Sequence, residues 1–157
     1  SISETQSGLD YVEIVSSIAS KSAGPATRSN IDEYIQLTEN ASKKFSGIND
    51  SKVILILNPA EPPISMQTSI SFLTNGIEID LVSIKKTTNL MVEKIKSYVP
   101  GYELIVEPVM VGDNRLLVMV KVVGLGDFLP SYAGNLDIIN CAAIAVAENF
   151  AKSKVLN

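Results

Sequence analysis

Two spacings of apolar residues alternate along this chain. Tyr11 to Ala19 is rich in β-branched side chains and partly alternates with polar ones, which predicts a strand. From Asn30 onward, Ile31, Tyr34, Ile35, Thr38, Ala41 and Phe45 recur at intervals of three and four, the stripe of a helix that Gly47 should stop. Val53 to Leu57 is a continuous apolar run too short for a helix, so it predicts a strand buried on both faces. Asn58-Pro59-Ala60-Glu61-Pro62-Pro63 forbids regular structure, because proline removes donors and restricts the residue before it. Ile70 and Phe72 then alternate with Ser69 and Ser71, as in a half-buried strand. Asp80 is placed to cap a second helix, whose stripe Ile84, Thr88, Met91, Ile95 and Tyr98 ends at Pro100-Gly101. Tyr102 to Val111 and Leu116 to Val123 predict two strands joined at Gly112-Asp113-Asn114, a hairpin signal. After Ala133 to Asp137 comes a third helix, apolar almost all round from Ile138 to Ala147. Ser1 to Gly8 is polar and expected to be frayed.

The order β-α-β-β-α-β-β-α predicts an α+β fold: a two-layer sandwich with a mixed, mostly antiparallel sheet and helices on one face. One domain should span residues 1–157. Leu117, Met119 and Val123 make the second sheet face apolar as well, so a homodimer through that face is expected. A helix apolar on every side is either central or docked against something else.

Composition removes several kinds of chemistry. The chain has 157 residues, 46% of them hydrophobic and 19% charged, enough for an ordered core. With a net charge of −4 and no basic stripe, nucleic acid is not an expected partner. No apolar run has the length of a membrane span, and no signal-peptide pattern opens the chain, so a cytoplasmic protein is expected. The absence of histidine excludes a Ser-His-Asp triad, a Cys-His pair and a His-ligated zinc within the chain, and no metal site is expected. The single cysteine, Cys141, cannot form an internal disulfide and reads as a buried structural thiol. The start at Ser1 suggests an excised or processed segment, although loss of an initiator Met before Ser would look the same.

The candidate chemistry lies between the first strand and the first long helix, from Ser20 to Glu33. Gly24 can adopt a positive φ and Pro25 fixes the next turn, so backbone N–H groups should point outward at a helix N-terminus. Thr27, Arg28 and Ser29 add hydroxyls and a guanidinium. Either this loop takes an anionic ligand, or Ser29 or Asn30 simply caps a helix. Asn135 and Asp137 could likewise cap the last helix, or Asn135 could offer its amide to a ligand. Glu61, on the proline-rich loop, is a solvated charge or a general base. Gly124-Leu125-Gly126 lacks the third glycine of a dinucleotide fingerprint, and Pro130 blocks an immediate helix. No set of residues here performs a reaction by itself.

The blocks Tyr11-Val12-Glu13-Ile14-Val15, Ser17 to Pro25, Thr27-Arg28, Asn30 to Glu33, Asn58 to Pro63, Tyr98 to Tyr102, Leu129-Pro130 and Tyr132 to Ile138 follow one another in a recognisable order. Through them the chain resembles the C-terminal domain of the acylating acetaldehyde dehydrogenases. The resemblance implies conversion of acetaldehyde, NAD and coenzyme A to acetyl-coenzyme A and NADH. In that family a cysteine attacks the aldehyde, hydride passes to NAD, and coenzyme A resolves the acyl-enzyme. The family's nucleophile and its Rossmann domain precede the matched part and are absent from this chain; Cys141 does not replace that nucleophile. By resemblance, Ser22, Ala23, Gly24, Pro25, Ala26, Thr27, Arg28, Ser29, Asn30 and Asn135 contact the NAD cofactor. The sheet face would be the dimer interface, and 4-hydroxy-2-oxovalerate aldolase is a candidate partner. Two positions depart from the family pattern. Ala26 stands where a second glycine is usual. Thr68, in Met66-Gln67-Thr68-Ser69, aligns with the catalytic aspartate of Met-Arg-Asp-Thr, and a threonine cannot serve as a base near neutral pH. The segment from Val111 to Leu116 also looks shorter than in many relatives. As an isolated fragment the chain is expected to be inactive. The alternative is a dimerisation or binding module that derives from the enzyme and no longer catalyses.

Overall fold

Five strands form one sheet in the order β2-β1-β3-β5-β4: β1 (Tyr11–Ala19), β2 (Asp50–Asn58), β3 (Met66–Leu73), β4 (Tyr102–Val111) and β5 (Arg115–Val122). The computed structural model describes residues 2–155, so Ser1, Leu156 and Asn157 lie outside the described residues. Only β1 and β2 run parallel; β1 with β3, β3 with β5 and β4 with β5 are antiparallel. The mixed, mostly antiparallel α+β sheet is therefore as the apolar pattern predicts. The helices are α1 (Ile2–Thr5), α2 (Pro25–Ser29), α3 (Ile31–Ser46), α4 (Leu81–Lys96) and α5 (Gly134–Val155).

Strand alternation assigns the faces. Val12, Phe72 and Leu116 point to one side, where they join Leu9, Ile48 and Ile84 in the buried core. Helix α3 packs near β2 and α4 near β4, so the two helices stand over opposite edges of that face. Gly47 ends α3 in the left-handed region at φ 71, its N–H bonding to Lys43 O. Helix α3 also shields the outer edge of β2: Glu39 Oε1 accepts from Val53 N–H at 3.0 Å, and Ser51 Oγ donates to Glu39 O at 2.9 Å. The Val53 hydrogen bond is the main reason that the Glu39 carboxyl sits below its ordinary range.

Three expectations change. Residues 2–5 are helical rather than frayed, because Ile2 packs on the core and Thr5 Oγ1 donates to Thr87 Oγ1 at 3.0 Å. The β2 run is buried on one face only: Val53 is 3% exposed, while Ile54 and Ile56 are 39% and 44% exposed. Finally, α5 begins at Gly134, before Asn135 and Asp137, so neither of these residues precedes the helix as a cap. A Cβ on Gly134 would meet Val122 O at 2.2 Å, so only glycine lets the helix start this close to β5. No helix among the described residues is long and apolar enough to cross a membrane.

Helix α4 has the cap that its sequence predicts. Ser83 N–H and Oγ donate to the Asp80 carboxylate at 3.0 and 2.6 Å, and these bonds lower the Asp80 pKa below its ordinary 3.8. A depressed folded-state pKa contributes stability that is complete above the unfolded pKa and lost as pH falls through the folded one. Asp80→Ala should therefore lower the thermal unfolding midpoint at pH 7, with the deficit shrinking as the pH is brought below the ordinary aspartate value. A deficit unchanged across that acid range in a calorimetric pH series would contradict the cap.

Candidate functional site

Strands β1 and β2 end together at Ala19 and Asn58, and β3 starts opposite the end of β5, with Met66 paired to Val122. All four ends share one edge of the sheet. From it leave the Ser20–Asn30 loop, the proline-rich loop and the segment leading into α5. Ser131–Ala133, a single 3-10 turn, packs back against β1 and brings the first turn of α5 to the same edge.

The Ser20–Asn30 loop is more ordered than its small residues suggest. Ser20–Ser22 forms a 3-10 turn, and the buried Ser22 Oγ donates to Ala19 O at 2.8 Å. Gly24 is extended, at φ −73 and ψ 176, so the positive φ that a glycine permits is not used here. Pro25 occupies the first position of α2, where its missing N–H costs nothing. The first i to i−4 bond of α2 is Arg28 N–H to Gly24 O at 3.1 Å, which leaves the N–H groups of Ala26 and Thr27 ahead of it. Thr27 and Ser29, both exposed, carry hydroxyls on the same short helix. Asn30 makes no side-chain cap for α3; its Nδ2 turns back to donate to Ala26 O at 2.9 Å. The N-terminus of α3 carries Asp32 and Glu33 in its first turn, which already complement its dipole and disfavour an anion there. The donors of this loop are thus local backbone and hydroxyl groups rather than a long helix dipole.

Lys21 Nζ pairs with the Glu61 carboxylate and ties this loop to the proline-rich one. The hydrogen bond to Glu61 is the chief cause of a raised Lys21 pKa. Both side chains are more than half exposed, so the pair orients the loops more than it stabilises the fold. Glu61 is thus a paired charge on the proline-rich loop rather than an isolated one.

At the start of α5, Asp137 Oδ2 accepts from Leu125 N–H at 2.7 Å and fastens the preceding loop. Asn135 Oδ1 is buried and has no hydrogen-bond partner. A buried acceptor without a partner carries a desolvation cost that a bound donor would remove. Thr68 lies away from these groups, inside the sheet on the helix-covered side. It is buried, and its hydroxyl is 2.9 Å from Ser16 Oγ. Because Ser16 is its partner on β1, Thr68 sits about 10 Å along that strand from Ala19. The structure therefore gathers the loop and Asn135 at one edge and leaves Thr68 below it. Cys141, on α5, is half-buried rather than fully buried. Among the described residues no group of three His, Cys, Asp or Glu is placed to hold a metal.

Sequence reasoning missed an apolar cavity of about 310 Å³ between α3 and α4, floored by Ile14, Ile70 and Val120 and walled by Phe45 and Met91. The spacing of two helices over a sheet leaves no local signal. It also missed that the Arg28 guanidinium turns inward, onto the backbone of its own loop.

Residues 1–130 match the family described as prokaryotic acetaldehyde dehydrogenase, dimerisation. An acetaldehyde dehydrogenase of Spirochaeta aurantia is 52% identical over 152 residues, covering 97% of this chain and 50% of that protein. One from Pectobacterium atrosepticum is 56% identical over 147 residues, covering 94% of this chain and 49% of that protein. A third, from Geobacillus stearothermophilus, is 50% identical over 147 residues, covering 94% and 50%. The chain thus spans about half the length of the curated relatives it matches.

Proposed function

The chain belongs to the prokaryotic acetaldehyde dehydrogenase dimerisation family, and from that premise we propose that it is the C-terminal half of an NAD-dependent acylating acetaldehyde dehydrogenase. Its part is to supply the homodimer interface and one wall of the cofactor site. The nucleophilic cysteine and the nucleotide-binding fold would come from the preceding half of the same polypeptide. The observation that carries the reading is the buried, unpartnered Asn135 Oδ1 at the sheet edge from which the Ser20–Asn30 loop leaves. An amide-bearing ligand donates to such an acceptor, and the loop's free N–H and hydroxyl groups suit an anionic or polyhydroxylated one.

NAD supplies the hydride acceptor when bound. This chain's own residues hold and orient it: Ala26 and Thr27 through backbone N–H, Thr27 and Ser29 through hydroxyls, and Asn135 through its amide. Gly24 helps by absence, since a Cβ built there meets nothing within 4 Å and the backbone stays open to a close approach. Coenzyme A, as acyl acceptor, and 4-hydroxy-2-oxovalerate aldolase, as assembly partner, rest on the family resemblance alone.

The dimer reading rests on the uncovered sheet face. Ile54, Ile56, Val109 and Val111 alternate onto it and are each 39–46% exposed. Leu117 and Met119 lie between them on β5. The continuous apolar run of β2 makes sense if its second face is covered by another copy.

Thr68 favours a second reading, a dimerising module without catalysis, because no carboxylate replaces it in the Ser16 pair. The two readings separate in an assay of the full-length polypeptide. We expect NADH absorbance to rise only when acetaldehyde and coenzyme A are both present. A folded full-length dimer without turnover would overturn the enzyme reading in favour of the module. Thr68→Val leaves Ser16 Oγ unpaired and should lower unfolding free energy by about 1 kcal/mol, with turnover changed by no more than a few-fold. A fall in kcat of roughly a hundredfold or more would place the hydroxyl in the chemistry instead.

A further inference from the structure

The guanidinium of Arg28 is committed to its own loop. Nε donates to Ala23 O at 3.1 Å, and Nη2 donates to Ser20 O and to Ser20 Oγ, each at 2.8 Å. Three of its five N–H bonds are used, and they join the 3-10 turn at Ser20–Ser22 to the helix α2 that carries Arg28. Between these anchors lies Gly24-Pro25, whose extended glycine has open space where a Cβ would stand. The segment that presents the Ala26 and Thr27 N–H groups is thus bridged from outside by one side chain. We infer that Arg28 is a positioning residue: it pre-forms the cofactor loop, and does not serve as a cation for the dinucleotide phosphates. This inference rests on the loop's proposed role as a cofactor contact.

The physical reason is fork geometry. A planar guanidinium can bond Ser20 and Ala23 at once, whereas an ammonium is a point donor on a flexible stem and cannot span both. Removing the bridge leaves the Ala23 carbonyl to water and Ser20 O with the Ala23 N–H alone, and lets the loop sample other conformations. A ligand must then reorder the loop on binding, and affinity falls by that cost.

Two variants separate this from direct charge recognition, Arg28→Lys and Arg28→Gln. Because Arg28 lies on the surface, both should fold with nearly unchanged melting temperature. In this chain, without cofactor, amide hydrogen exchange at Ala23 and Asn30, now bonded to Ser20 O and Ala26 O, should speed up about tenfold or more in both variants. In the full-length polypeptide, an NADH fluorescence titration should show both variants weakened to a similar extent, about tenfold, with the KM for NAD rising more than kcat falls. Near-normal affinity in Arg28→Lys alongside a large loss in Arg28→Gln would assign Arg28 to the phosphates and overturn the positioning role. Unchanged exchange at Ala23 and Asn30 would overturn it too. Faster exchange with unchanged NADH affinity would instead show that the loop is not a cofactor contact, and would remove the proposed function on which the inference rests.

Discussion

A sheet covered by helices on one face only must find cover for the other, or leave a row of apolar side chains in water. That constraint organises this chain. Helices α3 and α4 cover the face that holds Val12, Phe72 and Leu116. The far face presents Val15, Leu73, Leu117 and Met119 at its centre, with Ile54 and Ile56 on one edge strand and Val109 and Val111 on the other. Polar groups interrupt it, among them Glu13, Lys52, Gln67 and Lys121, so the face can remain in solution alone while still gaining from burial. At about 25 cal/mol for each Å² of apolar surface removed from water, an interface of ordinary size gains far more than a side chain's worth of stability. Membership of a dimerisation family is consistent with that use.

The same sheet gives the candidate site its rigidity. β1 is pinned along its whole length by β2 and over most of it by β3, so Ala19 is a fixed point. Everything after it is a short excursion from that point, tied down by Ser22, by Arg28 and by the Lys21–Glu61 pair. The start of α5 is held as firmly, by the close approach of Gly134 to Val122 and by the Asp137 bond to Leu125 N–H. A loop and a helix start held this way lose little freedom when a ligand binds. The long α5 is different. Ile139, Ile144, Val146 and Phe150 are exposed along it, an apolar surface that nothing else among the described residues covers.

Much of this architecture was legible in the sequence because period is a local property. The strands at 11–19 and 102–111 and the stripe after Asn30 announce themselves through spacing alone, and so does the Asp80 cap. What was not legible depends on distance. Four residues at Ile2–Thr5 are helical because Thr87 and the core receive them, and no local pattern says so. The β2 run gave the right element and the wrong burial, since Ile54 and Ile56 reflect a surface that a single chain cannot cover. In the candidate site, the loop's position was legible from Gly24-Pro25 and its neighbours, but its inner wiring was not. The sequence offers Arg28 as a free cation and Asn135 as a cap or a ligand contact. Only the folded chain shows the first turned inward and the second within the helix, with a buried oxygen unpaired.

Sedimentation velocity tests the central claim, that the bare sheet face is the surface through which this chain pairs with a second copy of itself. The measurement compares the chain with its Leu117→Glu, Met119→Glu double variant, whose new charges sit on that face and away from both the helix layer and the candidate site. The expected result is a dimer for the parent chain and a folded monomer for the variant. A variant that stays dimeric with an unchanged sedimentation coefficient would place the interface elsewhere and contradict the account.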